Sequence, residues 1–200
     1  MMGCMAVLMT ASCNKADDNT EEQQKKWNEW IAELQKEISA MPGDYQGQIF
    51  FLKSAAPQET DSVAAQWSVA NDSTIILTGL PTDLIARNIS DSHPALKQAL
   101  TDAHTMDVTV KIGYNLYQRT PIAFYLYPQP VSMTLDINGT PNKVTVEFKD
   151  YNTDSRAYGQ FLAPTGEILM NYYPKSIAVE GQVQEIFSQD AILKYYGKKK

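Results

Sequence analysis

The feature that most constrains this chain is a strict two-residue alternation through its second half. Val108, Val110, Ile112, Tyr114 and Leu116 fall on one face of an extended segment, with Thr109, Lys111 and Asn115 on the other. Ile122, Phe124 and Leu126 repeat it, as do Val131, Met133, Leu135 and Ile137 against Ser132, Thr134 and Asp136. Val144, Val146 and Phe148 follow a turn at Asn138-Gly139. Successive strand side chains point to opposite faces, so this pattern means antiparallel sheet with one side buried. It predicts a mainly β (α+β) fold, an antiparallel β-sandwich or an open barrel, and we expect the two-sheet sandwich first.

The first half adds helices. Thr20-Glu21-Glu22-Gln23 has the spacing of a capping box, so a helix is expected over 20–41, with Trp27, Trp30, Ile31, Leu34 and Ile38 as one apolar stripe and Met41-Pro42-Gly43 as its stop. Two readings of the stripe follow, a partner-binding face and packing on its own domain, and the second is favoured. Tyr45 to Leu52 reads as a strand, and Ser62 to Ala70 with Ser73 to Thr78 as a hairpin turned at Asn71-Asp72. A helical insertion near 80–103 is expected as two pieces. Pro81 to Asn88 turns Leu84 and Ile85 inward, and Pro94 to Ala103 carries Leu96, Ala99, Leu100 and Ala103. Tyr158 to Leu162, Glu167 to Tyr173 and Ser176 to Glu180 complete the strands. Val183 to Tyr196 has no assignable pattern.

The beginning of the chain reads as an address. Met1 to Ser12 is apolar and uncharged and ends in Thr10-Ala11-Ser12 ahead of Cys13, the order of a secretory h-region and a small-residue cleavage site. Residues 1–12 are expected to be a lipoprotein signal peptide. No Lys or Arg precedes Cys13, so the basic n-region is expected upstream of Met1. Cys13 is the expected lipid attachment residue, residues 13–19 a tether, and residues 20–200 one β-rich domain. Cys4 would leave with the signal and Cys13 carry lipid, so the mature domain would have no disulfide and no thiol nucleophile.

The net charge of −6 argues against nucleic acid, whose phosphates need clustered Lys and Arg. Lys198-Lys199-Lys200 is the one basic run and is expected to fray as a soluble tail. No later stretch has the apolar length of a membrane helix, so the membrane is a partner only through the lipid on Cys13.

Several of these segments together carry a resemblance. Asn14-Lys15-Ala16-Asp17-Asp18 resembles the surface-export signal of Bacteroidota-type lipoproteins, which implies an export role for Lys15, Asp17 and Asp18. The segments Gly43-Asp44-Tyr45-Gln46-Gly47, Asn71-Asp72-Ser73-Thr74-Ile75 and Thr120-Pro121-Ile122-Ala123-Phe124 are similar, with the lipobox and helix, to an uncharacterised Bacteroidota-type lipoprotein family of about 200 residues. The resemblance implies an outer-membrane lipid-anchored protein, facing the cell surface or alternatively the periplasm, and supplies no catalytic residues. A second likeness is to lipocalins, whose barrels open on Gly-x-Trp where this chain has Tyr45. By resemblance also, Asp61-Ser62-Val63 and Asp72-Ser73-Thr74 match O-glycosylation sites and would mark surface turns.

Catalytic and cofactor chemistry is thinly represented. His93 and His104 flank one helix without metal-ligand spacing, no Gly-x-Ser-x-Gly or Gly-rich phosphate loop occurs, and no cofactor is expected. Asp136, Glu147, Asp150, Asp154 and Glu167 sit on or beside strands, most of them on the polar side, so a carboxylate-dependent hydrolase is the least favoured function. The tyrosines are the better suspects. Tyr117, Tyr125 and Tyr127 oppose the apolar face and Tyr172 sits in a later strand; exposed, they would offer apolar area with a polar handle. The expected function is a non-enzymatic ligand- or partner-binding module for a saccharide, an apolar small ligand or an envelope protein. The alternative is a structural or assembly component of an outer-membrane complex.

Overall fold

The computed structural model describes residues 17–54, 59–71, 73–184, 187 and 191–200. Cys13 and Lys15 lie outside the described residues, as do the side chains of Asp17 and Asp18. In chain order the elements are α1 (Asp17–Ile38), β1 (Gly43–Ser54), β2 (Glu59–Asn71), β3 (Thr74–Pro81), α2 (Asp83–Ala86), α3 (Pro94–Asp102), β4 (Thr105–Tyr114), β5 (Ile122–Pro128), β6 (Val131–Ile137), β7 (Thr140–Phe148), β8 (Tyr158–Leu162), β9 (Glu167–Tyr172), β10 (Pro174–Val179), β11 (Gln182–Gln184) and β12 (Leu193–Lys199). Eight strands close a barrel in the order β1-β12-β9-β8-β5-β4-β3-β2, and β11-β10-β7-β6 form a second sheet. All the paired strands are antiparallel. The alternation is realised on β4, where Met106, Val108, Val110 and Ile112 are buried and Thr105, Asp107, Thr109 and Lys111 exposed.

Of the two arrangements expected, the barrel is the one formed, and it is closed rather than open. Alternation cannot separate them, because a sandwich sheet and a barrel wall each have one buried face. The decision falls to β12, in the stretch that showed no pattern. It pairs with β1 from Phe51↔Leu193 to Tyr45↔Lys199 and with β9 from Tyr172↔Leu193 to Glu167↔Lys198. The terminal lysines are therefore no frayed tail. Lys198 and Lys199 are strand residues, Lys199 Nζ donates to Ala40 O at 2.7 Å, and Lys200 N donates to Asp44 O at 2.9 Å.

An eight-stranded barrel is just wide enough for its own side chains to fill, and this one is filled. Tyr45, Trp67, Tyr195 and Tyr172 run through it ring against ring, with centroids 5.2–5.8 Å apart. Burial pushes the hydroxyls of Tyr45, Tyr172 and Tyr195 well above their ordinary value, so all three stay neutral. Two glycines make the room. A Cβ on Gly197 would stand 2.5 Å from the Trp67 ring, and one on Gly159 would stand 2.3 Å from that of Phe124. Leu34, Ile38 and Met41 cover one end of the barrel, where Tyr45 Oη donates to Met41 O at 2.5 Å. At the other end, α2 contributes buried Leu84 and Ile85, and Arg87 lies 4.3 Å over the Phe51 ring.

Three boundaries differ from expectation. Helix α1 starts at Asp17 and ends at Ile38, so Thr20 is inside it and not at its N-cap. The β4 strand stops at Tyr114, because the Asn115 side chain accepts from Tyr117 N at 3.0 Å and turns the chain; Leu116 is thereby thrown outward. Ser62 lies in β2 opposite Phe50 rather than in a turn. The insertion is as expected, with Leu84, Ile85, Leu96, Ala99 and Leu100 buried.

Candidate functional site

The four tyrosines singled out by sequence do not form one surface. Tyr172 is 1% exposed: on β9 it shares the inward face with Ile168 and Met170, so it belongs to the core and is withdrawn as a ligand contact. Tyr125 and Tyr127 do share the outward face of β5. The Tyr125 ring, however, stacks at 3.9 Å on Tyr151, held there by a 3.0 Å bond from Tyr151 N to Leu126 O. Desolvation and the neighbouring Tyr151 hydroxyl raise the Tyr125 pKa. Tyr117 is 84% exposed, in the β4–β5 loop, with its ring 5.7 Å from Trp27.

The candidate carboxylates are tied into local structure. Asp154 accepts from Arg156 N, Nε and Nη2 at 2.7–3.0 Å, and the Arg156 hydrogen bonds hold its carboxyl far below the ordinary carboxylate range. Asp150 caps Thr153, Asp136 accepts from Gly139 N, and Glu167 accepts from the Tyr196 hydroxyl. The bonds of Asp136, Asp150 and Asp154 fix turns, and that of Glu167 reaches the neighbouring strand β12. Among the described residues no cluster of His, Cys, Asp and Glu is arranged to hold a metal ion, and no helix is long and apolar enough to cross a membrane.

One concave site lies where α1 meets the barrel. Trp30 Nε1 donates to Leu116 O at 2.9 Å. Arg119 pairs with Glu33, lies 3.3 Å from Glu37 without hydrogen-bond geometry, and sits 5.2 Å from the Trp30 ring. These contacts fix the helix to the β4–β5 loop and leave a groove of about 680 Å³ along its flank. Ile38, Pro42, Ala70, Tyr114 and Leu116 give it an apolar lining, with Gln35, Ser39 and Asn71 as polar points. Volume and lining suit a small apolar group. Sequence reasoning missed it because it placed Leu116 on the strand's buried face; Asn115, a good turn former, was the available signal.

Most of this body is covered by one family. Residues 40–179 match the model of a domain of unknown function, DUF4840. The chain belongs to that family. No curated protein and no solved structure matches it. The DUF4840 span takes in β1 to β10 and leaves out α1 and β12. One wall of the groove and the strand that closes the barrel are thus outside it.

Proposed function

We propose that this chain is a non-enzymatic cell-envelope lipoprotein, anchored through Cys13 to the outer membrane, whose barrel is a solid scaffold for binding on its outer surface. The observation that carries the reading is the filled lumen: Trp67, Tyr45, Tyr195 and Tyr172 occupy the space a lipocalin would keep for ligand. Exposed apolar groups instead gather around the α1 groove, where Trp27, Leu116 and Tyr117 are each at least 38% exposed. Helix α1 also supports the anchor. Thr20 to Glu29 are all exposed, and ten helical residues extend about 15 Å, a stand-off between Cys13 and the barrel. The groove then takes an apolar group of a lipid or a small ligand.

A photoreactive benzoylphenylalanine at position 116, expressed in cells in the full chain, tests this. We expect a discrete lipid or small-molecule adduct on irradiation, and none with the same residue at position 98 on α3. Equal, diffuse labelling from both positions would remove the groove from the reading. A discrete protein adduct would favour the assembly role instead.

A further inference from the structure

We propose that the outer wall formed by β12, β1, β2 and β3 is a binding face for neutral saccharides. It is a different wall from the α1 groove and stands on separate observations. Because Tyr45 and Ile49 point inward, Gln46 and Gln48 point out, and the same alternation turns Ala64 and Gln66 of β2 outward beside Trp67. The register then builds two rows across the strands. Tyr196, Gln48 and Ala64 face one another in the first, and Lys198, Gln46, Gln66 and Thr78 in the second.

Small Ala64 and Gly79 lie low among the longer side chains, leaving an open trough of about 690 Å³. The side-chain amides of Gln46 and Gln48 donate to and accept from no other described residue. Gln66 Oε1 accepts from Lys200 Nζ at 3.2 Å, which orients its NH2 group. On the bank, Tyr196 is 45% exposed and its hydroxyl donates to Glu167 Oε1 at 3.2 Å, pinning the ring by its edge.

This chemistry selects a class. Each free amide offers an acceptor and a two-proton donor, the complement of vicinal hydroxyls, which both donate and accept. The trough lining itself carries no formal charge; Lys198 opposite Gln46 and Lys200 at Gln66 flank only the second row, so the row of Tyr196, Gln48 and Ala64 offers no charge to an ionic ligand. The Tyr196 ring supplies the apolar face on which the C–H side of a sugar ring packs. Neighbouring strands lie about 4.8 Å apart, so Tyr196 on β12 and Ala64 on β2 are about 10 Å apart, within the span of a short oligosaccharide.

The test uses the full chain in a detergent without a sugar headgroup, titrated with neutral hexaoses of glucose (α- and β-linked), mannose, xylose and N-acetylglucosamine. Polygalacturonate serves as the charged comparator. We expect at least one hexaose to bind in the millimolar range or tighter and to shift the side-chain amide resonances of Gln46 and Gln48. Tyr196→Ala and Gln48→Ala should each weaken it about tenfold, the equivalent of about 1.4 kcal/mol, while Tyr196→Phe retains it. Ala64→Tyr fills the trough from an outward position and should abolish binding with the fold intact. The proposal is overturned if no hexaose binds, if only polygalacturonate binds, or if Tyr196→Ala and Ala64→Tyr bind as the parent does. Leu116 variants should leave hexaose binding unchanged, so failure here and failure of the groove are read separately.

Discussion

At the scale of single residues, the barrel is organised by where side chains are missing. Gly197 faces Gln46 O, which a Cβ would approach to 2.3 Å, as well as the Trp67 ring at 2.5 Å. The first neighbour is backbone in a strand paired on both sides and cannot step aside. Overpacking of this kind costs about 1–3 kcal/mol and more where backbone is involved, so Gly197→Ala should lose about 3 kcal/mol or more in urea unfolding. Gly113 is the contrast. Its nearest neighbour would be the Tyr127 ring at 3.5 Å, an ordinary contact, so Gly113→Ala should be neutral or gain about 0.4–1 kcal/mol from the stiffer unfolded chain. Equal losses from the two would show that strand glycines matter here for sheet geometry and not for ring space.

At the scale of elements, α1 has little apolar hold for its length. It sinks Leu34 and Ile38 into the core, and beyond them it is held by the Trp30 bond to Leu116 O and by Arg119 reaching Glu33 and Glu37. Part-exposed ion pairs contribute about 0.2–1 kcal/mol each. Arg119→Ala, which also removes the guanidinium from the Trp30 ring, should therefore raise hydrogen exchange of the amides from about 30 to 37 by about tenfold. Exchange in β4 and β12 should not change. Acceleration spread through the barrel would mean that α1 and the barrel open as one unit. The groove is bounded by α1, so any apolar occupant should reverse the effect by binding the seated helix.

At the scale of the whole molecule, the proposed anchor on Cys13 is expected to be separable from the body. The buried side chains of α1 begin at Leu34, about 25 Å of helix from Asp17 at 1.5 Å per residue. Cys13→Ala should then abolish labelling by a fatty-acid analogue and leave circular dichroism and the unfolding midpoint of the body unchanged. Equal label on parent and variant would place the anchor elsewhere, and a loss of folding would tie the first residues to the core. Replacing Asp17 and Asp18 with Ala should keep the label and reduce protease accessibility on whole cells, if those acids direct surface export.

The chain's own pattern determined the strand faces. Ile122, Phe124, Leu126, Val144 and Val146 are all buried as their alternation requires, because side-chain direction in a strand is a local property of the backbone. The helical insertion was legible for the same reason, with Pro94 opening α3 and Leu84 and Ile85 turned inward. Partners were not. That β12 joins β1 to β9, and so closes a barrel in place of a sandwich, depends on contacts between residues some 150 positions apart, such as Gln48↔Tyr196. No local periodicity encodes such pairings. The candidate surfaces follow the same division. Tyr125 and Tyr127 were correctly placed on one outward face, but tertiary packing laid Tyr151 over the first of them, drew Tyr172 into the core, and set Leu116 and Tyr117 beside α1. A side chain's face is fixed by its own backbone, whereas its exposure is fixed by whatever the rest of the chain brings to that face.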